Sequence, residues 1–129
     1  MSIIGIGVDI VKNNRLKKLI KNKDFLERIF TLQEQKSSPI LKNKLNYYSK
    51  RFAAKEAFIK AIGIGFRNNI NFKDIEIKNN RKGKPLLNIS KNIKNFIKKN
   101  FKINKYNIFL SLSDEKKHSI AFVIINKIK

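Results

Sequence analysis

Apolar residues recur along this chain in two rhythms, and the rhythm changes midway. Ile3, Ile4, Ile6 and Val8 form a short apolar run that reads as a buried strand extending to Ile10. Leu16, Leu19 and Ile20 follow at helical spacing among Arg15, Lys17, Lys18 and Lys21. Phe25, Ile29 and Phe30 continue a second short helical piece, and Thr31 with Glu34 has the spacing of a capping box for a third. Ser38-Pro39 has the form of an N-cap followed by proline at the first helical position. From there Leu41, Leu45, Tyr48, Phe52, Ile59 and Ile62 trace one stripe of a long helix, which Gly63 is placed to end.

After Gly63 the alternation tightens to every second residue. Ile75 and Ile77 alternate with Asp74, Glu76 and Lys78; Arg81 to Pro85 reads as a turn; Leu87 and Ile89 share one face of the next strand. Ser90 can cap a helix carrying Ile93, Phe96, Ile97 and Phe101. Two strands close the chain: Asn107 to Ser113, alternating, and Ser119 to Asn126, almost wholly apolar and therefore expected at the centre of a sheet. Helices first and strands afterwards predict an α+β fold, helices packed on a largely antiparallel sheet. A length of 129 residues fits a single domain, residues 1–129.

Charge adds a partner to this picture. Thirty Lys and Arg stand against nine Asp and Glu, a formal net charge of +21. Such a balance implies a polyanionic or acidic partner. The abundance of Lys, Asn and Ile together equally reads as biased composition with solvated lysines. A basic nucleic-acid-binding module is the alternative class; it needs lysines in one stripe and exposed aromatics, whereas Phe52, Phe58, Phe96 and Phe101 fall at core spacing. The absence of cysteine excludes disulfides, thiol nucleophiles and thiolate metal sites. The N-terminus lacks a basic region ahead of its apolar residues, and no apolar run reaches spanning length. A soluble, cytoplasmic protein with no membrane insertion is the expectation.

With so few acids, a carboxylate in an apolar setting stands out. Asp9 closes the first strand, and Glu56 lies between Phe52 and Ile59 on the stripe of the long helix, with Lys60 one turn on. Two carboxylates on rigid elements amid Lys and Arg suit a hard cation carrying a phosphorylated ligand, the way Mg²⁺ is held. The spacing also fits a surface Glu-to-Lys pair and, for Asp9, an N-cap of the helix starting near Lys12. Gly5 and Gly7 lack the third glycine of a dinucleotide fingerprint, and Gly63 with Gly65 fits a helix end and loop. Ser111 and Ser113 share a strand face with Phe109, opposite Ile108, Leu110 and Leu112. His118, the single histidine, is expected to be structural or exposed.

Together these segments resemble the holo-acyl-carrier-protein synthases, the small bacterial phosphopantetheinyl transferases of fatty-acid synthesis. Gly5 to Arg15 (GIGVDIVKNNR) is similar to the family's opening motif, Phe30 to Glu34 (FTLQE) to its next element, and Arg51 to Gly65 (RFAAKEAFIKAIGIG) to its signature helix. Gly83 to Pro85 (GKP) and Ser111 to Ser113 (SLS) follow in the expected order. The resemblance implies transfer of 4′-phosphopantetheine from coenzyme A to a serine of apo acyl carrier protein, releasing adenosine 3′,5′-bisphosphate. It implies Mg²⁺ held by Asp9 and Glu56, Lys60 on the pyrophosphate, and Glu56 and Lys60 as the catalytic pair. Glu56 would act as proton acceptor through a metal-bound water. Arg51, Gly63, Gly83, Lys84, Pro85 and Ser111 would help hold coenzyme A. Arg15, Lys18, Lys21 and Arg28 would receive the acidic carrier protein. A homotrimer with sites between subunits is also implied, and no nucleic acid. Phe109 and Asp114 stand where many relatives carry histidine.

Overall fold

The computed structural model describes residues 2–66 and 69–129. In chain order the elements are β1 (Ser2–Lys12), α1 (Asn13–Leu16), α2 (Lys23–Ile29), α3 (Leu32–Lys36), α4 (Lys44–Ile62), β2 (Ile75–Asn79), β3 (Pro85–Ile89), α5 (Lys91–Phe101), β4 (Tyr106–Asp114) and β5 (His118–Lys127). Single 3-10 turns lie at Leu19–Lys21 and Phe72–Asp74. The architecture is α+β and its strands are antiparallel, but they form two sheets rather than one. β1, β5 and β4 pair in the order β1-β5-β4, and β2 with β3 makes a separate hairpin. The nearly continuous apolar strand is central, as its composition predicts: Ser119, Ala121, Val123 and Ile125 of β5 are all buried.

Local rules set most of the boundaries. The side chain of Asn22 accepts from the Phe25 amide, Thr31 and Glu34 complete a capping box, and the Ser90 hydroxyl accepts from the Ile93 amide. Gly63 ends α4 in the left-handed conformation with φ +76.

Three expectations are corrected. The long helix starts at Lys44, after Asn43 in left-handed geometry, and Ser38-Pro39 does not cap it. The Ser38 hydroxyl is instead spent locally on the Pro39 carbonyl, and Leu41, outside the helix, is 86% exposed. Nor does α4 bury one stripe: Ala53, Ala54, Lys55, Ala57 and Phe58 are all buried, so the helix is enclosed on most sides. Finally, β1 is not a buried strand. Ile6, Val8 and Ile10 face outward and are exposed, while Gly5, Gly7, Asp9 and Val11 alternate toward α4. Phe58 is fully buried, and Phe52, Phe96 and Phe101 pack against the core, which does not favour a base-stacking surface.

Candidate active site

The site exists because two glycines let a strand lie against a helix backbone. A Cβ on Gly5 would come within 2.1 Å of the Ala61 carbonyl oxygen, and one on Gly7 within 1.8 Å of that of Ala57. Only glycine permits this approach, and the alanines opposite keep the helix side smooth. One step further along the same strand face, Asp9 emerges beside the helix face that carries Glu56 and Lys60. Asp9 lies within β1, three residues before the Lys12 that precedes α1, so it caps no helix.

The Lys60 ammonium donates to the Asp9 carboxylate at 3.1 Å and to the Val8 carbonyl at 3.0 Å. Burial, then the charge of Asp9, raise the Glu56 carboxyl above its ordinary range, while Lys60 and Arg15 pull it back. Asp9, Glu56, Lys60 and Arg15 therefore share one electrostatic neighbourhood. The surface-pair reading of Glu56 and Lys60 gives way to a Lys60–Asp9 pair across two elements. Among the described residues no group of three or more His, Cys, Asp or Glu comes together. A set of two carboxylates fits Mg²⁺, which takes one or two protein carboxylates and fills its octahedron with phosphate oxygens and water.

The short helix α1, which carries Arg15, is anchored by a buried amide. Asn13 donates to Asn46 Oδ1 at 3.1 Å and to the Glu115 and Lys116 carbonyls, and accepts from the Ser119 hydroxyl at 2.7 Å. This ties α1 to α4 and to the β4–β5 turn. Lys18, Lys21 and Arg28 follow along the next turns of chain, all exposed. His118 meets Glu115 at 2.9 Å at the same turn, partly exposed, as its solitary occurrence predicts.

A second cluster surrounds Arg51. Its guanidinium lies 3.6 Å from the centroid of the Tyr47 ring and donates to the Tyr47 carbonyl and to Asn79 Oδ1, yet its Nε is buried without a partner. Burial works against the Arg51 charge, and Tyr47 and Glu34 offset it. Cavities of about 200 Å³ and 320 Å³ open on either side of Arg51 and Asn79, the larger also lined by Lys50 and Asp114. Lys50 pairs with Asp114 at 3.4 Å, at a position where the family resemblance anticipates histidine. The tip of the β2–β3 hairpin follows directly from Asn79. There Asn80 Oδ1 accepts the amides of Lys82 and Lys84, and Gly83 turns with φ +83.

Not every expected residue converges. Ser111 pairs with Phe122 of β5 and faces outward, on the side of the sheet opposite to Asp9. Phe109 shares that outer face and is 51% exposed. Sequence reading missed Lys55 and the second role of Glu34, which form a fully buried ion pair at 2.7 Å. A lysine on a helix otherwise buried by alanines and aromatics was the available signal.

Residues 5–123 match the profile of the 4′-phosphopantetheinyl transferase superfamily. A holo-[acyl-carrier-protein] synthase of Pelagibacter ubique is 54% identical over 127 residues, covering 98% of this chain and 99% of the relative. The crystal structure of holo-[acyl-carrier-protein] synthase from Neisseria meningitidis superposes with a TM-score of 0.86 at 38% identity, covering 98% of this chain and 100% of that one. The Helicobacter pylori holo-[acyl-carrier-protein] synthase, solved in complex with coenzyme A, gives a TM-score of 0.78 at 32% identity over 94% of this chain and 99% of that one.

Proposed function

This chain belongs to the 4′-phosphopantetheinyl transferase superfamily, and on that premise we propose that it transfers 4′-phosphopantetheine from coenzyme A to a serine of apo acyl carrier protein, in the cytoplasm and in the service of fatty-acid biosynthesis. The observation that carries the reading is the meeting of Asp9, Glu56 and Lys60 across the glycine contact of β1 and α4.

In this reading the carrier serine Oγ attacks the pantetheine-side phosphorus of the pyrophosphate. The new P–O bond forms as the bond to the nucleotide-side phosphate breaks, and adenosine 3′,5′-bisphosphate leaves. Asp9 and Glu56 would hold Mg²⁺, which would supply charge neutralisation and polarisation at the pyrophosphate. Lys60 leaves Asp9 to meet the charge on the equatorial and leaving oxygens. Glu56 is the proton acceptor for the serine hydroxyl. No nucleophile of the enzyme's own is required.

The remaining assignments follow the site's surroundings. Arg51, with its unpartnered Nε beside two cavities, holds an anionic group of coenzyme A, aided by Gly63 and by Gly83, Lys84 and Pro85 of the adjacent hairpin. Arg15, Lys18, Lys21 and Arg28 present positive charge to an acidic carrier protein. Assembly as a homotrimer is supported by the outer sheet face, where Ile6, Val8, Ile10, Phe109 and Phe122 are 56%, 49%, 62%, 51% and 40% exposed. A contiguous apolar surface of this kind marks a protein interface, and burying it against a second copy delivers Ser111 to a neighbour's site.

The test is intact-mass measurement of apo acyl carrier protein after incubation with this protein, coenzyme A and Mg²⁺. The expected result is a gain equal to one phosphopantetheine group. No gain, beside a control synthase that modifies the same preparation, overturns the proposal.

A further inference from the structure

The glycine contact that makes the site is smooth. Gly5 and Gly7 offer no side chains to α4, and Ala57 and Ala61 offer little in return. Such a contact sets how closely the helix approaches but resists its rotation and sliding weakly. A turn of α4 about its axis would swing Glu56 and Lys60 away from Asp9, so something else must fix that angle.

The buried pair is placed to do so. Lys55 and Glu34 are both 0% exposed in their side chains, 2.7 Å apart. The Lys55 ammonium uses all three of its protons: on Glu34 Oε1, on the Ile29 carbonyl at 2.8 Å and on the Phe72 carbonyl at 3.2 Å. Glu34 in turn accepts the Thr31 amide at 2.8 Å on Oε1 and the Ile77 amide at 2.9 Å on Oε2. One residue of α4 is thereby bound to the end of α2, to α3, to the turn before β2 and, through Glu34, to β2 itself. The Tyr47 hydroxyl adds a bond to the Glu34 carbonyl, and Tyr47 carries Arg51 on its ring. Stability alone does not account for this arrangement. Removing two charges from water offsets most of their attraction, and apolar replacements of such pairs are often neutral or stabilising. What the pair supplies is direction, since its donors and acceptors are satisfied at one helix orientation only.

We propose that Glu34 and Lys55 are positioning residues that set the rotation of α4, and through it the placement of Glu56 and Lys60 against Asp9. Lys55 immediately precedes Glu56, so an error in its angle passes undiminished to the catalytic face. Neither side chain touches substrate; both act through the helix.

The inference rests on the transfer reading, and its test separates the two. The variant Glu34→Gln with Lys55→Met removes both charges and keeps comparable volume. It is expected to fold with a lowered melting temperature, because the Ile29 and Phe72 carbonyls and one backbone amide lose their partners. Its kcat should fall roughly tenfold to a hundredfold, as misplacement of reacting groups by about 1 Å does, with the KM for coenzyme A changed less than about twofold. A second readout does not use turnover: Mn²⁺ titrated in the presence of coenzyme A and followed by water proton relaxation should bind more weakly to the variant. A folded double variant with unchanged kcat and unchanged Mn²⁺ affinity overturns the proposal. If the double variant does not fold, Glu34→Gln with Lys55→Gln, which also removes both charges but keeps an amide donor for the buried carbonyls, carries the same measurements with the same decision. Absence of transfer by the unsubstituted protein counts against the transfer reading instead, and the Mn²⁺ titration then decides the positioning role.

Discussion

Glu56 is the residue whose environment predicts most. Burial first, and then Asp9, raise its carboxyl pKa in the folded protein. Folding with Glu56 protonated is therefore favoured over folding with it charged. This contribution to stability is complete below the ordinary glutamate pKa and is lost as pH rises through the raised value. Glu56→Gln removes the loss, so the free variant should be more stable than the unsubstituted protein at neutral pH. The gain is at most about 1 kcal/mol after solvent screening, and it should vanish in acid. Thermal melts of both proteins across pH measure it; a destabilised variant at neutral pH contradicts the assignment. The same variant should lose transfer altogether. In the unsubstituted protein Mg²⁺ affinity should climb with pH through a limb above the usual carboxylate range, since Glu56 must give up its proton before it can hold the cation. At this scale the sequence was informative wherever a charge looked out of place, as with Asp9 and Glu56. It was silent on the pairing of Lys55 with Glu34, because a lysine and a glutamate 21 residues apart give no local sign that they meet.

At the level of elements, caps and glycines were legible because their chemistry is local. Thr31, Ser90 and Gly63 end or begin helices as their side chains, or lack of one, require. Ser38-Pro39 misled because the same two residues also suit a turn, and the left-handed Asn43 that precedes α4 has no signature in a chain so rich in asparagine. The apolar run of β1 misled for another reason: its isoleucines and valine mark the face away from the helix, and its glycines mark the face toward it. The glycine contact yields a sharp expectation. Gly7→Ala puts a methyl group where the Ala57 carbonyl oxygen lies, so β1 and α4 must part. Unfolding by urea should show a loss of about 1–3 kcal/mol, the usual range for overpacking, with transfer falling further than the folded fraction does. A variant of unchanged stability and activity would show that the two elements are not in contact there. Gly83→Ala is the counterpart, with open space around the added Cβ; only its positive φ opposes the change, at about 1 kcal/mol.

The molecule as a whole is where sequence reading ran out. The α+β class and the central β5 follow from periodicity, but the split into two sheets does not, nor does the exposed apolar face. The three-stranded sheet depends on β1 pairing with β5 at the far end of the chain, which no local pattern announces. On the proposed assembly, Phe122→Glu places a charge in the middle of that face. Sedimentation should then show monomers where the unsubstituted protein sediments as a trimer, with transfer lost although the fold persists. A monomeric unsubstituted protein with full activity would remove the case for shared sites.

Asp9 and Ser111 lie on opposite faces of one three-stranded sheet, and on the proposed assembly each copy would hold two half-sites rather than one whole site. Defects in the two halves should therefore complement one another. Asp9→Ala spoils the half a subunit offers from its inner face, and Ser111→Trp spoils the half it offers from its outer face. Either variant alone is expected to be inactive. Unfolded together and refolded as a mixture, they should form trimers in which about a quarter of the junctions, by random association around the ring, join two intact halves. Activity recovered on mixing two dead proteins would establish that inheritance of function in this molecule runs across chains. No recovery would place both halves within a single copy.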